Sequence, residues 1–551
     1  MDPHGDETDG DTEPDVQSWD NVHLGASNGD FARLVPHSPA ARTLFSQVVR
    51  HLDSDASKWN HVRSFIHYEV VYLDDSTTGS SFTSATPPPQ HEPVQEYCGY
   101  YRLNMTIPPA NESLGWVLGS SRSNKPENFV DFLLAPFANE HALHSRHCRL
   151  RRLLQTGVLL AISDSRKVSV DGKIVQRDIK REEQDEQDYQ ASLQHGTNIG
   201  LGDLTYRLVY TDLSPKQQQR ELQEALKRAS TGLDKSVMLL SPTPSRNTID
   251  YHGYSIFDAN LHGTTSTVSL GYDKSNGKPV AVKMVKCTAA QFNDLRKEIE
   301  ILGRLNHENV CKLEKVVNWD SSANPRMWRQ DEGPTVGLIL SPPATTGALR
   351  LLTSWKSLPD SATFLRDSMR QVASGLAYVH SLNMLHRDIK PNNIVYHSTS
   401  PVHAIIIDFG CSESDPTSMR HDRGTMTYLA PEVMRVKNGE STQPFSFPSD
   451  VWSLGVTLVD FLLNKQFHKQ LGEAATYEKF KKTMTRNTVE LHYPDFWNLV
   501  LELLAWDSEV RPTAMEVAQR LTNQEETRPE KVSRRASTNK EPSAKREKFQ
   551  I

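Results

Sequence analysis

The chain has 551 residues, too many for one hydrophobic core, so two or three domains joined by linkers are expected. A hydrophobic share of 37% with 24% charged residues suits a soluble protein with some unstructured length, and a net charge of −6 excludes a general polyanion binder. No segment reaches ~18 consecutive apolar residues; the longest near-continuous run, Trp452 to Leu463, reads as a buried core helix and not as a membrane span. The acidic N-terminus lacks an apolar h-region, so no secretory signal is expected. Five scattered cysteines (Cys98, Cys148, Cys287, Cys311 and Cys411) without a C-x-x-C pair point to reduced thiols in a nuclear or cytosolic compartment, with neither a zinc site nor a disulfide frame.

Residues 1–37 are acidic and poor in apolar side chains, and disorder is expected there. Residues 38–91 hold a helical pattern through Leu44, Val48 and Leu52, a strand at Tyr68–Leu73, and a Ser/Thr/Pro loop from Ser76 to Gln90. Between 92 and 213 come short strands broken by turns (Gly115–Leu118, Val130–Leu134, Val158–Ile162, Thr205–Tyr210), which predict an antiparallel β-sandwich. The charged stretch Gln176 to Gln194 reads as a surface loop interrupting it. Residues 214–250 begin with a capped helix, since Ser214 can cap, Pro215 suits the first turn and Gln217 completes a capping box; a linker follows. Residues 251–522 run from strands to helices, the order of a two-lobed α+β unit. The tail, 523–551, is basic and expected to be disordered; Arg534-Arg-Ala-Ser537 in it is a good basophilic-kinase target, and its charge run reads as a solvated segment more than as a nuclear signal.

The 251–522 stretch carries the groups that phosphoryl transfer needs: cations for the phosphates, carboxylates for Mg²⁺, and a base near the acceptor hydroxyl. Lys283 ends the apolar strand Val280-Ala-Val-Lys283, and Glu298, fifteen residues on in a helical stretch, can pair with it. His386-Arg-Asp-Ile-Lys-Pro-Asn-Asn393 then places Asp388 to accept or orient the hydroxyl proton, Lys390 to neutralise the transferring phosphate, and Asn393 to hold a metal. Ile405-Ile-Ile-Asp-Phe-Gly410 supplies Asp408 as the second metal ligand. Taken singly, a Lys or Glu on an amphipathic element is usually a solvated surface residue; the ordered set is not.

These motifs resemble the eukaryotic protein kinase family, and the resemblance covers about half the chain. It extends to Gly424-Thr-Met-Thr-Tyr-Leu-Ala-Pro-Glu432, which looks like the end of an activation segment with Thr425 facing Asp388 and Lys390. It implies a Glu432–Arg511 pair and a bracing Asp450. Lys390 and Gly424-Thr425 resemble the serine/threonine branch, which implies ATP and Mg²⁺ as cofactors, protein Ser/Thr acceptors, and no direct contact with nucleic acid or membrane. The phosphate-covering loop departs from the pattern: Leu261 and Ser266 stand where glycines are usual and only Gly263 is kept, with Val268, Ala281 and Val395 left to enclose the adenine. Slower or weaker use of ATP is the expected consequence. Asn392 stands where relatives that prefer basic substrates carry Glu. Arg387 implies an anion on the activation segment, with Ser412, Ser414, Thr417 and Ser418 as candidate phosphosites and Asp422 as a candidate built-in anion. Cys411 reads as a small core residue.

The strands of 92–213 resemble a forkhead-associated (FHA) domain, on Gly115-Trp-Val-Leu-Gly119, His144-Ser-Arg-His-Cys-Arg-Leu150 and Asp171-Gly172. The resemblance implies a phosphothreonine-containing partner, with Arg122, His144, Arg146 and His147 as candidate contacts. The usual phosphate-binding pattern is altered: Ser120 stands in place of Arg, and His144 in place of Ser. A sandwich ahead of a kinase is similar in architecture to checkpoint kinases that carry FHA domains. The other readings are a pseudokinase scaffold and a phosphopeptide-binding adaptor.

Overall fold

A computed structural model of the chain describes residues 19, 30–54, 57–73, 94–104, 106–120, 130–137, 140–153, 156–165, 167–175, 189–211, 249–257, 261–262, 266–325, 328, 333–344, 346–487 and 493–526. The helix expected at Ser214, the basic tail, Arg122 and Gly263 lie outside these residues.

Among the described residues the N-terminal unit has twelve strands in two sheets. In chain order they are β1 (Asp30–Pro36), β2 (Ile66–Leu73), β3 (Val94–Asn104), β4 (Trp116–Ser120), β5 (Phe132–Ala135), β6 (Cys148–Arg152), β7 (Leu159–Ser163), β8 (Val168–Val170), β9 (Lys173–Val175), β10 (Gln190–Leu193), β11 (Asn198–Leu201) and β12 (Leu204–Tyr210). One sheet runs β2-β3-β1-β12-β11-β8-β9 and the other β10-β7-β6-β4-β5. They share a core in which Phe31, Tyr101 and Tyr206 of the first meet Trp116, Phe132 and Leu150 of the second. The helix Pro39–Ser54 lays its buried Leu44, Phe45, Val48 and Val49 against this unit. Tyr101 fixes the middle: its ring stacks on Phe132 at 5.3 Å and its hydroxyl donates to the Leu133 carbonyl at 2.6 Å.

Three differences from the sequence reading have physical causes. The unit starts at Asp30 and not near residue 92, because β1 pairs with both β3 and β12. Asp-Phe-Ala-Arg-Leu-Val-Pro is short and flanked by acidic sequence, so its burial on both faces could not be seen from periodicity. The pairing is not wholly antiparallel, since β4 and β5 run parallel with Leu118 opposite Phe132. The end of the charged Gln176–Gln194 stretch is not loop but the edge strand β10, paired with β7.

Downstream, β13 (Ile249–Tyr251), β14 (Tyr254–Ile256), β15 (Leu261–His262), β16 (Ser266–Asp273), β17 (Pro279–Lys286), β18 (Lys312–Val317) and β19 (Thr335–Ser341) form a small lobe. Its sheet order is β13-β14-β16-β17-β19-β18, with β15 also on β16, and the helix Phe292–Leu302 belongs to the same lobe. The large lobe is mostly helical, centred on Ser361–Ser381 and Pro448–Leu463. The expected core helix from Trp452 is buried nearly all round. Among the described residues no helix is long and apolar enough to cross a membrane.

Candidate active site

The cleft between the two lobes takes its groups from both lobes. Val268 lies opposite Lys283 and Leu270 opposite Ala281 across the β16–β17 pair. Side chains of a strand alternate, so Val268, Ala281 and Lys283 share one face of the sheet, while Val280 and Val282 fill a small core on the other. Val395, half-buried, comes from the large lobe in the strand Ile394–Thr399.

Lys283 Nζ donates to Glu298 Oε1 at 2.7 Å and to Asp408 Oδ1 at 2.9 Å. Burial disfavours its ammonium, but the two carboxylates outweigh that and hold its pKa above the usual lysine value. Burial likewise opposes ionisation of Asp408, and Lys283 reverses it, so the Asp408 carboxyl lies below its ordinary range. Glu298 can reach Lys283 because the amphipathic helix Phe292–Leu302 turns it inward with Phe292, Leu295 and Ile301.

The second cluster surrounds Asp388. Lys390 Nζ donates to Asp388 Oδ2 at 2.7 Å and to Thr425 Oγ1 at 2.7 Å, and Thr425 Oγ1 donates to Asp388 Oδ1 at 2.8 Å. Asn393 Nδ2 donates to the Asp388 carboxylate and to its backbone carbonyl, each at 2.8 Å. That commits the amide nitrogen and leaves the amide oxygen to face a cation. Asn393 and Asp408 thus offer two hard oxygen donors, which suits Mg²⁺, an ion that completes its shell with water and phosphate oxygens. No larger His/Cys/Asp/Glu cluster able to hold a metal occurs among the described residues.

The loop carrying these groups is held from below by buried Asp450, which accepts from the His386 and Arg387 amides at 2.9 and 2.7 Å and bonds His380 Nε2 at 3.0 Å. Burial works against its charge, yet these donors keep its pKa low. Arg387 and Asp408 adopt φ of +70° and +65°, conformations that cost energy in a non-glycine residue and recur where side chains are aimed for function. Glu432 and Arg511 meet as expected in a two-pronged pair at 2.6 and 2.9 Å, with Arg511 over the Trp452 ring.

The activation segment differs from expectation in its anion. Asp422 is exposed and faces Arg420 and Arg423, not Arg387. The carboxylate beside Arg387 is that of Glu413, at 3.4 Å, and it also pairs with Lys297 of the Phe292–Leu302 helix. Arg423 reaches back to Asp294 on the same helix at 2.5 Å. Neither Glu413 nor Lys297 was singled out from sequence, because one acid in a Ser-rich loop and one Lys in a charged helix carry no local signal. Of the four candidate phosphosites, Ser412 and Ser418 are buried, Ser412 donating to the His386 carbonyl, while Ser414 and Thr417 are exposed. Cys411 is half-buried, and burial raises its thiol pKa.

Of the candidate phosphopeptide contacts of the N-terminal unit, His144, Arg146 and His147 lie among the described residues. His147 is fully buried, its ring between the His144 amide and the Lys167 carbonyl. Arg146 pairs with Asp164 at 3.0 Å, a carboxylate that Arg149 also binds. His144 is exposed and stacks on His147. The Ser120 hydroxyl is buried without a hydrogen-bond partner.

Residues 262–521 match the family model of the protein kinase domain. The chain is 30% identical over 252 residues to an Aurora kinase of Yarrowia lipolytica, covering 44% of this chain and 62% of that one. It is 27% identical over 278 residues to the serine/threonine-protein kinase RAD53 of Saccharomyces cerevisiae, covering 47% and 32% respectively. It is also 27% identical over 262 residues to serine/threonine-protein kinase 10 of Xenopus tropicalis, covering 46% and 26%. The aligned segment thus spans between about a quarter and three-fifths of these relatives, all of them kinases by name. The cleft described above lies within the segment that matches this family model.

Proposed function

We propose that this chain is an ATP-dependent protein serine/threonine kinase whose reaction runs in the Lys283–Asp388–Asp408 cleft. The observation that carries this is the Asp388 cluster, in which a carboxylate, a lysine and a threonine hydroxyl meet within 2.8 Å of one another. Lys283, aimed by Glu298, binds the non-transferred phosphates. Asp388 orients the acceptor hydroxyl and takes its proton, while Lys390 offsets negative charge on the group in flight. Asn393 and Asp408 would hold Mg²⁺, which would supply positive charge against the phosphates. Leu261 and Ser266 in place of glycine restrict backbone approach to the phosphates, so an elevated KM for ATP goes with this reading. Glu413 supplies a permanent negative charge between Arg387 and Lys297, so transfer does not await phosphate on Ser414 or Thr417.

The test is transfer of label from γ-labelled ATP to a general Ser/Thr substrate. Asp388→Ala is expected to lower it by ~10³-fold or more. Equal labelling by the two proteins would remove the enzyme reading and leave a scaffold.

For the N-terminal unit we propose an FHA-like module that targets or regulates the kinase, in a nuclear or cytoplasmic setting. Its two-sheet build and the quoted motifs support this. The pairing of Arg146 and the burial of His147 argue for a role in docking over phosphothreonine capture.

A further inference from the structure

The chain entering and forming β7 is apolar without alternation: Val158-Leu-Leu-Ala-Ile162. Leu159 and Ala161 face the core between the two sheets, whereas Val158, Leu160 and Ile162 point out of the unit. An outward face of a free two-layer unit is ordinarily polar. Here the three are at most 1% exposed, because they enclose Tyr272 of the small lobe, itself 1% exposed, with Leu153, Tyr189 and Phe257 around them. The fit extends to the turn after Tyr272, where a Cβ on Gly277 would meet Leu153 at 2.8 Å and Leu160 at 3.2 Å. Polar contacts ring the apolar patch: Tyr272 Oη donates to Gln194 Oε1 at 2.7 Å, Thr156 Oγ1 to the Gly277 carbonyl at 3.4 Å, and Ser192 Oγ to the Lys274 carbonyl.

We propose that the N-terminal unit is latched to the small lobe at Tyr272, and that this latch sets how tightly the cleft holds nucleotide. Tyr272 lies near the far end of β16, whose other end, Ser266, borders the phosphate-covering loop about 20 Å away at ~3.3 Å per residue. β16 is paired along this length with β17, which carries Lys283, and Phe257, just beyond β14, packs on Tyr272 at 5.9 Å. A small lobe held at this corner presents its loop and lysine in one arrangement. A released one must be ordered by the nucleotide, which weakens binding. The proposal rests on the kinase reading only for the identity of the nucleotide.

In the full chain, Leu160→Asp puts a charge into the apolar patch and Tyr272→Ala empties it. The expected result is a larger radius of gyration by small-angle scattering, with the Kd of a fluorescent ATP analogue raised about 5–10-fold. Tyr272→Phe, which loses the hydroxyl's bonds to Gln194 and Ser255 but keeps the ring, should stay compact and bind within twofold of wild type. A chain that stays compact in Leu160→Asp overturns the latch, and one that expands with unchanged Kd overturns the coupling. Should Leu160→Asp fail to fold, hydroxyl-radical footprinting of the unaltered chain decides. Protection of Leu160, Ile162 and Tyr272 relative to exposed Ile174 supports the latch, and equal oxidation sinks it. Neither readout needs phosphoryl transfer, so an inactive protein would count against the kinase reading alone.

Discussion

The cleft and the rim of the N-terminal unit are both rich in charge, and they use it in opposite ways. In the cleft, carboxylates and cations from distant segments converge so that each has a partner and an atom left to offer: Asp408 is held by Lys283 at one oxygen, and Asn393 gives its nitrogen to Asp388. On the rim, the charges pair off locally, as Arg146 and Arg149 do on Asp164, and His147 turns inward. The difference shows why a cluster is recognised by what its members leave unsatisfied and not by how many charges it holds.

The sharpest way to break the contrast is at Glu413, where the cleft's supports extend into the activation segment. Glu413→Gln keeps the shape and removes the charge between Arg387 and Lys297. Steady-state kinetics should show kcat down by ~10-fold to 10²-fold, because buried Arg387 and half-buried Lys297 then repel and the loop carrying Asp388 loses its place. Glu413→Asp should recover part of the rate. Loss of wild-type activity on phosphatase treatment, with Glu413→Gln no slower than wild type, would refute the internal-anion reading.

Next in size is Arg511→Ala. It leaves Glu432 without its two-pronged partner and uncovers the Trp452 ring, and thermal or urea unfolding should register a loss of about 3 kcal/mol. A loss under 1 kcal/mol would mean that the pair is dispensable to the large lobe. Smaller still is Tyr101→Phe in the N-terminal unit, which leaves the Leu133 carbonyl without its donor at about 1 kcal/mol and should not change the Kd for nucleotide. A shift in that Kd would show that the unit's inner core, and not only its Tyr272 face, governs the cleft.

How much of this was legible in the sequence follows the same division. Lys283, Glu298, Asp388, Lys390, Asn393 and Asp408 stood out as an ordered set of cations, carboxylates and an amide, and the fold brings Lys283 to Glu298 and Asp408, and Lys390, Asn393 and Thr425 to Asp388. Glu413 was not, since any acid at the right depth serves and its partners are long-range. In the N-terminal unit β10 read as loop, whereas β2, β4, β5, β7 and β12 showed as patterns. The start at Asp30 did not, because β1 acquires its two neighbours only on folding. The outward apolar face of β7 was visible as a run without alternation, yet nothing local could say what covers it.

A last contrast concerns an acid that lacks the cleft's economy of partners. Asp460, in the large-lobe helix Pro448–Leu463, accepts from the neutral Tyr428 hydroxyl and the Phe467 amide, each at 2.6 Å, and only His468 offsets its burial by charge. Burial pushes its pKa up to about 6, whereas Asp408, opposite Lys283, is pulled down. A raised carboxyl stabilises the fold below its unfolded pKa, and the contribution is lost as pH rises through the folded value. Between roughly pH 4 and 6 the native state holds a proton that the unfolded chain releases, so this group lowers stability with rising pH by up to about 3 kcal/mol. Asp408 and Asp450 act in the opposite sense, losing stability as pH falls, so the isolating measurement is a difference. Asp460→Asn keeps an acceptor for Tyr428 but cannot ionise, and urea unfolding of both proteins at pH 4, 5, 6 and 7 gives its stability relative to wild type. That relative stability should improve steadily from pH 4 to 6 and level off above. A constant difference across the range would place the Asp460 carboxyl at its ordinary value, and the contrast between partnered and unpartnered acids would not hold in the large lobe.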